Sequence, residues 1–449
     1  MSKTSPLAII ILAAGKGTRM KSALPKVMHK LAGRPMIGWV METAQALDPE
    51  KVITVIAPDQ EMIKEEVAPH PYAYQEKQLG TAHAVQQAKE ELKEFNGTVL
   101  VLYGDGPLYT PKTLRHFLKN IENAGAEFGF LGMTPEDPTG YGRMSADENG
   151  YITNIIEEKD ANEAQKKIGL CWTGVMAGKA SSLFELIEQI DNNNAQNEYY
   201  LTSLPRLAAS EGLKTIHALA PIDETLGVNS RAELAALEAK MQERLRMQAM
   251  DNGATLIDPA STFLSFDTKI GQDVIIEPNV MIGPGVTIAD ETYIYAFSHI
   301  EGAAIEKGAQ IGPFARVRPK SSIGEKAVVG NFIEVNRSTV QAGAKSKHMS
   351  YLGDAVIGEK ANIGAGTVIA NYDGFNKHKT IIGTGAFIGT NSTIIAPVTI
   401  GDGAIVAAGS SITHDVPGDA MGIARARQEN RDGWAAIYRG KKLKTKKTG

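Results

Sequence analysis

The run Ile305-Glu306-Lys307-Gly308-Ala309-Gln310-Ile311-Gly312-Pro313-Phe314-Ala315-Arg316-Val317 sets an aliphatic side chain at every sixth position. The beat continues through Ile323, Val329 and Val335. It is preceded by Ile270, Ile276, Ile282, Ile288, Ile294 and Ile300, and it returns as Ile382, Ile388, Ile394, Ile400, Val406 and Ile412. Six residues are neither one helical turn nor two. A flat strand is excluded as well, because Gly recurs beside the aliphatics, as in Ile311-Gly312, Ile357-Gly358 and Ile400-Gly401. The pattern predicts a parallel β-helix of hexapeptide repeats. One aliphatic per short side points into a continuous core and small residues turn the corners. Three such sides make a coil of about 18 residues.

The beat fails twice. Between Val335 and Ile357 lies a segment containing Lys345-Ser346-Lys347-His348-Met349-Ser350-Tyr351, and between Ile369 and Ile382 lies Asn371-Tyr372-Asp373-Gly374. Interruptions of a solenoid are expected in loops or irregular coils on the functional face. His348, flanked by cations at the first interruption, is therefore a candidate functional residue.

Outside the repeats, Leu7-Ala8-Ile9-Ile10-Ile11-Leu12 has the continuous apolar character of a strand buried on both faces of a parallel sheet. Further strands are predicted at 52–57, 99–103, 128–133 and 168–176, with helices at 36–47, 61–67, 82–95 and 111–123. The alternation predicts an open, Rossmann-like α/β sheet, whose ligands bind beyond the carboxyl ends of the strands. Two such ends carry chemistry. Gly15-Lys16-Gly17-Thr18-Arg19, with Pro25-Lys26 downstream, offers free N–H groups and cations to a phosphate, but it matches neither the Walker loop nor the dinucleotide fingerprint. Asp105, emerging from the 99–103 strand after Gly104, suits Mg²⁺ held against phosphates.

Between the halves, Ser230-Arg231-Ala232-Glu233 is a capping box, and Leu234, Leu237, Met241 and Leu245 form one helical stripe before Asn252-Gly253. The expected organisation is an α/β domain at 1–229, a linker helix at 230–253, and a β-helix domain with a C-terminal tail at 254–449.

The 449 residues agree with a few domains of roughly 150 residues. They include 47 basic and 51 acidic residues, for a formal charge of -4. This balance argues against a nucleic-acid binder. Cys171 is the single cysteine, so no internal disulfide can form. Met1-Ser2-Lys3 does not open a signal peptide, and no apolar run reaches the ~20 residues of a membrane span. A cytoplasmic protein without membrane partners is expected. The basic tail Lys441-Lys442-Leu443-Lys444-Thr445-Lys446-Lys447 is expected to be a solvated, frayed end.

Leu12-Ala13-Ala14-Gly15-x-Gly17-Thr18-x-Met20, Pro25-Lys26 and Gly104-Asp105 resemble the sugar-1-phosphate nucleotidyltransferase family. Gln75 and Gln78-Leu79-Gly80-Thr81-Ala82-His83 resemble its uridylyl-transferring branch. The repeats resemble acyltransferases that use acetyl-CoA. The whole chain resembles the bacterial family that joins an N-acetylglucosamine-1-phosphate uridylyltransferase to a glucosamine-1-phosphate N-acetyltransferase on a left-handed β-helix. That resemblance implies UTP and acetyl-CoA as co-substrates, Mg²⁺ on Asp105 and Asn229, a homotrimer, and a role in cell-envelope precursor synthesis.

The same resemblance implies residue roles. Arg19 and Lys26 act in uridylyl transfer. Leu12, Ala13, Ala14, Gly15, Lys26, Gln75, Gly80, Thr81, Tyr103, Gly104, Asp105, Gly142, Glu157, Trp172 and Asn229 bind the UDP-sugar. His348 is the general base of acetyl transfer and Glu334 orients it. Arg318, Asn336, Tyr351 and Asn362 hold glucosamine-1-phosphate. Ala365, Asn371, Tyr372, Thr390, Ala408 and Arg425 line the acetyl-CoA groove. His83 is read as structural.

Four positions depart from the family pattern: Gly106, Trp172, Ser203 and Asn336. An indole at 172 crowds the sugar side. Asn336 stands where the family has a phosphate-binding Lys, a loss of roughly 1.5–3 kcal/mol for a charge-assisted hydrogen bond. Arg337, next along the strand, is expected on the opposite face. The alternative reading is a catalytically impaired variant, or a trimeric scaffold or regulatory protein of the same folds.

Overall fold

The computed structural model describes residues 5–445. Met1-Ser2-Lys3 and Lys446-Lys447, on which the leader and tail expectations partly rest, lie outside the described residues. The chain divides into two compact units, Met1–Leu245 and Arg246–Gly449.

In the first unit, the apolar runs assemble into a sheet with the strand order Thr215–Leu219, Phe128–Met133, Cys171–Lys179, Thr98–Tyr103, Leu7–Leu12, Lys51–Ile56, Tyr72–Tyr74. All neighbours run parallel except Cys171–Lys179, which is antiparallel to both of its own. Ile9, Ile10 and Ile11 are wholly buried, with Ile10 in one core and Ile9 and Ile11 in the other, so the central strand feeds both faces. The strands Leu7–Leu12 and Phe128–Met133 have the predicted bounds. A hairpin of Arg143–Ala146 with Ile152–Ile156, the edge strand Thr215–Leu219, and the helices Ala180–Ile187 and Leu204–Ser210 were not predicted.

The helix predicted at 82–95 is shorter, Thr81–Gln86. The Gln87 side-chain amide donates to His83 O at 2.9 Å, the carbonyl its own backbone N–H would use, and Gln87 N turns to Ala84 O at 3.2 Å. The joint helix Arg231–Asp251 starts at the capping box, where Ser230 Oγ accepts from Glu233 N at 3.2 Å. Leu237 and Met241 are buried against Met20, Leu31 and Met36, so most of this helix packs with the first unit.

The second unit is a left-handed parallel β-helix. Its inner columns can be followed coil by coil. One runs Ile276, Ile294, Ile311, Val329, Ser346, Ile363, Ile388, Val406. Another runs Ile270, Ile288, Ile305, Ile323, Val340, Ile357, Ile382, Ile400. Every aliphatic of the six-residue beat is buried except Ile270, which is half-buried at the start of its column.

The first expected interruption is not a loop. Val328–Asn336 and Lys345–Gly353 are long strands paired in register, from Val328↔Lys345 to Asn336↔Gly353. The inner column passes straight through Ser346, which is 1 % exposed, and a second through Leu352. The beat fails because two corners are one residue shorter, Val335 to Val340 and Leu352 to Ile357, and because Ser346 stands in an aliphatic column. The second interruption is a projecting turn closed by a Tyr372↔Lys377 bridge. The tail also differs from expectation, since Trp434–Thr445 is helical.

Candidate active sites

The first site lies beyond the strands Leu7–Leu12 and Thr98–Tyr103. Gly104 N donates to Leu12 O at 2.9 Å, which brings the Leu12-Ala13-Ala14-Gly15 loop beside Asp105. Gly17 is left-handed (φ 57°), and a Cβ there would sit 2.6 Å from Lys26 Cβ, so a glycine lets Lys26 close under the loop. Lys26 Nζ pairs with an Asp105 carboxylate oxygen and also lies 3.4 Å from Asn229 Oδ1. Arg19 donates to the same Asn229 oxygen at 2.7 Å. Asn229 is fixed through its backbone, which donates to Glu233 Oε2 at 2.7 Å. Residues 19, 26, 105 and 229 thus form one cluster of alternating charge and polarity.

A cavity of about 450 Å³ opens on one side of this cluster, lined by Ala14, Lys16, Ser22, Pro25, Asp59 and Gln78 among others. Gln75 is buried nearby. Its amide donates to Gly80 O at 3.1 Å and meets His83 Nδ1 at 3.0 Å, so His83 has the partner that its sequence neighbourhood did not suggest. Thr81 Oγ1 accepts from Leu201 N at 2.9 Å and fixes the segment after Gly80.

On the other side stand Tyr103, Gly142, Glu157 and Trp172. Trp172 N donates to Gly142 O at 2.8 Å, its indole N–H donates to Val175 O at 3.0 Å, and its ring meets Tyr103 edge-on at 6.5 Å. The indole is 7 % exposed, so it is a fixed part of this wall. Burial raises the Glu157 carboxyl above its usual range and does the same to the Tyr103 phenol. Of the remaining departures, Gly106 leaves room for the Tyr109 ring, 3.1 Å from where a Cβ would stand, and Ser203 ends the turn before the helix Leu204–Ser210.

The second site follows one corner of the β-helix. Before His348 this corner carries Phe297, Phe314 and Phe332, exposed and stacked at 4.9 and 5.0 Å. After it the corner is built from small residues. Gly366 N donates to Met349 O at 2.8 Å, Asn391 N to Ala365 O at 2.7 Å, and Gly409 N to Thr390 O at 2.8 Å. The Arg425 side chain closes over Gly409 one coil further. Ala365, Thr390, Ala408 and Arg425 therefore succeed one another along a shallow track that begins at His348.

His348 is exposed, and its Nδ1 lies 2.9 Å from Asn331 Oδ1. Asn331, one coil before it, is a partner for His348 that sequence reasoning missed. Glu334 pairs with Arg318 at 2.9 Å and not with His348. Asn336 is buried, with Nδ2 3.4 Å from the Tyr351 hydroxyl. Arg337 does not face away. It leaves the strand in the left-handed region (φ 51°), where side-chain alternation ends, and its guanidinium donates to Asn336 Oδ1 at 3.1 Å. Asn362 lies one coil above Lys345, and Asn371 and Tyr372 open the projecting turn.

Residues 9–147 match the MobA-like NTP transferase domain. Residues 267–302 match the bacterial transferase hexapeptide (six repeats), residues 299–384 the GMPPB C-terminal domain, and residues 379–414 the hexapeptide repeat of succinyl-transferase. The bifunctional protein GlmU of Rhizorhabdus wittichii is 53 % identical over 437 residues, covering 97 % of each chain. That of Paramagnetospirillum magneticum is 50 % identical over 439 residues, again 97 % of each. That of Geobacillus thermodenitrificans is 43 % identical over 451 residues, 96 % of this chain and 98 % of its own. With both domains matched and near-complete relatives at these identities, the chain belongs to the bifunctional GlmU family.

Proposed function

We propose that this enzyme makes UDP-N-acetylglucosamine in two steps. Its β-helix domain moves an acetyl group from acetyl-CoA to the amine of glucosamine-1-phosphate. Its α/β domain then moves a uridylyl group from UTP to the acetylated product. Each domain gathers a reactive constellation from residues distant in sequence, and this is the observation that carries the reading.

In the α/β domain, UTP occupies the cavity beside Lys16 and Gln78, with its phosphates under the Gly15–Arg19 loop. Tyr103, Gly142, Glu157 and Trp172 form the acceptor side. A phosphate oxygen of the sugar-1-phosphate bonds to the α-phosphorus of UTP, the α–β bridging P–O bond breaks, and pyrophosphate leaves. Lys26 and Arg19 balance the charge that spreads over the phosphoryl oxygens. An Asp105 carboxylate oxygen and the Asn229 amide oxygen converge on one cation, the Lys26 ammonium, which is the hard two-oxygen donor set that suits Mg²⁺. Bound there, Mg²⁺ would add charge neutralisation at the triphosphate.

In the β-helix domain, Asn331 Oδ1 accepts the Nδ1 proton of His348 and leaves Nε2 as the base. Nε2 takes a proton from the glucosamine amine as its nitrogen bonds to the thioester carbonyl carbon. The C–S bond then breaks and CoA leaves as a thiolate that is reprotonated. The small-residue track from Ala365 to Arg425 suits the extended acetyl-CoA, and Arg318, Asn336, Tyr351 and Asn362 surround the sugar phosphate. The stacked, exposed Phe297, Phe314 and Phe332 form an apolar stripe of the kind buried between copies, in accord with a homotrimer. No helix among the described residues is long and apolar enough to cross a membrane. UTP, acetyl-CoA and glucosamine-1-phosphate are small and water-soluble, and the reading places the reaction in the cytoplasm.

The test assays the halves separately. Pyrophosphate release from UTP with N-acetylglucosamine-1-phosphate and Mg²⁺ reads the first. Free CoA release from acetyl-CoA with glucosamine-1-phosphate reads the second. Both are expected, and absence of both would leave the scaffold reading in place.

A further inference from the structure

The acetyl-transfer site contains a charged pair that the mechanism above does not use. Arg337 grips Asp354 through both arms, Nε to Oδ1 at 2.6 Å and NH2 to Oδ2 at 2.7 Å. The pair is only partly exposed, 30 % for Arg337 and 18 % for Asp354. Both residues lie in the left-handed region (φ 51° and 49°) at equivalent corners of successive coils, and Asp354 N donates to Asn336 O at 3.0 Å. A two-pronged fork of this kind fixes direction as well as charge. The hydrogen bond from Arg337 holds the Asp354 carboxyl below its usual range, with a further contribution from Asn371.

What the pair touches gives it a purpose. The third guanidinium nitrogen donates to Asn336 Oδ1 at 3.1 Å, and this turns the Asn336 NH₂ toward the Tyr351 hydroxyl at 3.4 Å. On the other side, Asp354 Oδ2 accepts from the Asn371 side-chain NH₂, which fixes the orientation of that buried amide. The hydrogen bonds form one chain, Tyr351–Asn336–Arg337–Asp354–Asn371, across three successive coils. One end lies among the groups assigned to the sugar phosphate and the other at the turn assigned to acetyl-CoA.

We infer that the Arg337–Asp354 pair is a positioning device that sets the amide orientations of Asn336 and Asn371 together and so prepares both substrate subsites of the acetyltransferase. The inference rests on the acetyl-transfer reading above. Without the guanidinium, Asn336 loses the donor that fixes its carbonyl. The uncompensated Asp354 carboxylate then stands beside a site that must accept a phosphate. Loss of a charged hydrogen bond of this kind is worth about one to two decades in affinity.

The experiment measures steady-state CoA release by the full-length enzyme and its Arg337→Gln, Arg337→Lys and Asp354→Asn variants. Pyrophosphate release by the same preparations reports that each chain is folded. For Arg337→Gln we expect KM for glucosamine-1-phosphate and for acetyl-CoA to rise together by about tenfold or more, with kcat changed much less. Arg337→Lys distinguishes positioning from simple scaffolding. A single ammonium can neutralise Asp354 but cannot hold the fork and Asn336 at once. It should restore KM for acetyl-CoA and leave KM for glucosamine-1-phosphate raised. Asp354→Asn should raise both values while removing no cation, and it decides the matter if Arg337→Gln does not fold. Values of KM within twofold of wild type for both substrates in the glutamine or asparagine variant would overturn the inference, even if Tm fell. Absence of CoA release from the wild-type enzyme would instead defeat the acetyltransferase reading itself.

Discussion

The two domains place their chemistry in opposite ways. The α/β domain gathers Asp105, after a central strand, with Arg19, Lys26 and Asn229 from turns beside it, and these polar groups compensate one another before any substrate arrives. The β-helix domain carries His348 exposed on a corner, held through one ring nitrogen, with the coil stack beneath it serving as a ruler. In the first, charge pairing among groups from distant turns makes the site. In the second, repetition makes it: each coil delivers one residue to the same corner, and function follows from where phenyl rings give way to small residues. A site of mutually paired charges tolerates little change in charge, whereas a site laid along a stack is altered rung by rung.

The sharpest way to break this comparison is to disable each site alone. Asp105→Ala removes the carboxylate that faces Lys26 and is expected to lower pyrophosphate release by roughly 10³-fold, as for loss of a preorganised electrostatic group. CoA release from the same preparation should stay within twofold. His348→Ala is expected to do the converse, lowering CoA release by about 10²-fold or more, the usual worth of a general base, without touching pyrophosphate release. Loss of both activities in either variant would show that the sites are not built independently.

Asn331→Ala is expected to have a smaller effect, about tenfold on kcat for CoA release, since it removes one orienting hydrogen bond and leaves the base in place. Restoration by Asn331→Gln is not expected, because the longer side chain moves the acceptor away from Nδ1. A variant with unchanged kcat would mean that the coil stack alone holds His348, and the contrast between the domains would then be stronger than drawn above.

Asn331 also shows where the sequence stops being legible. It lies 17 residues before His348, one coil away, and is its neighbour only once the coil length is known. The nearer acid, Glu334, was the natural choice of orienter, but Arg318 takes it from the coil below. The buried strands and the six-residue beat were readable because burial on both faces, or on one corner per side, demands aliphatics at fixed places. The beat misled between Val335 and Ile357, where two corners lose one residue each and a hydroxyl, Ser346, fills an aliphatic column, so that paired strands read as an interruption. Residues that leave the strand conformation were illegible for a related reason. Arg337 could not be placed by alternation because its φ of 51° ends the strand. His83 acquired a partner, Gln75, only through the turn at Gly80, whose φ of 122° brings the two together. Single hydrogen bonds that redirect a chain, such as Gln87 to His83 O, leave no periodic trace.

The smallest expected effect concerns how the α/β site holds a carboxyl. Glu157 is half-buried on the acceptor side, and the loss of solvent around it raises its pKa. A carboxyl raised in the folded state favours the protonated chain. The stability it contributes is fully present below the unfolded value, about 4.3, and is lost as pH rises through the raised folded value. Glu157→Gln removes that dependence. Above the titration window the variant should melt higher than the wild type, by on the order of a few °C, and below it the two should converge. Pyrophosphate release should fall at the same time, because a neutral amide is a weaker acceptor for a sugar hydroxyl than a carboxylate. Thermal melts of both proteins at several pH values, read beside the uridylyl assay, separate the two contributions. An ordinary surface glutamate would show neither change, whereas a residue held at a cost in stability for the sake of binding should show both.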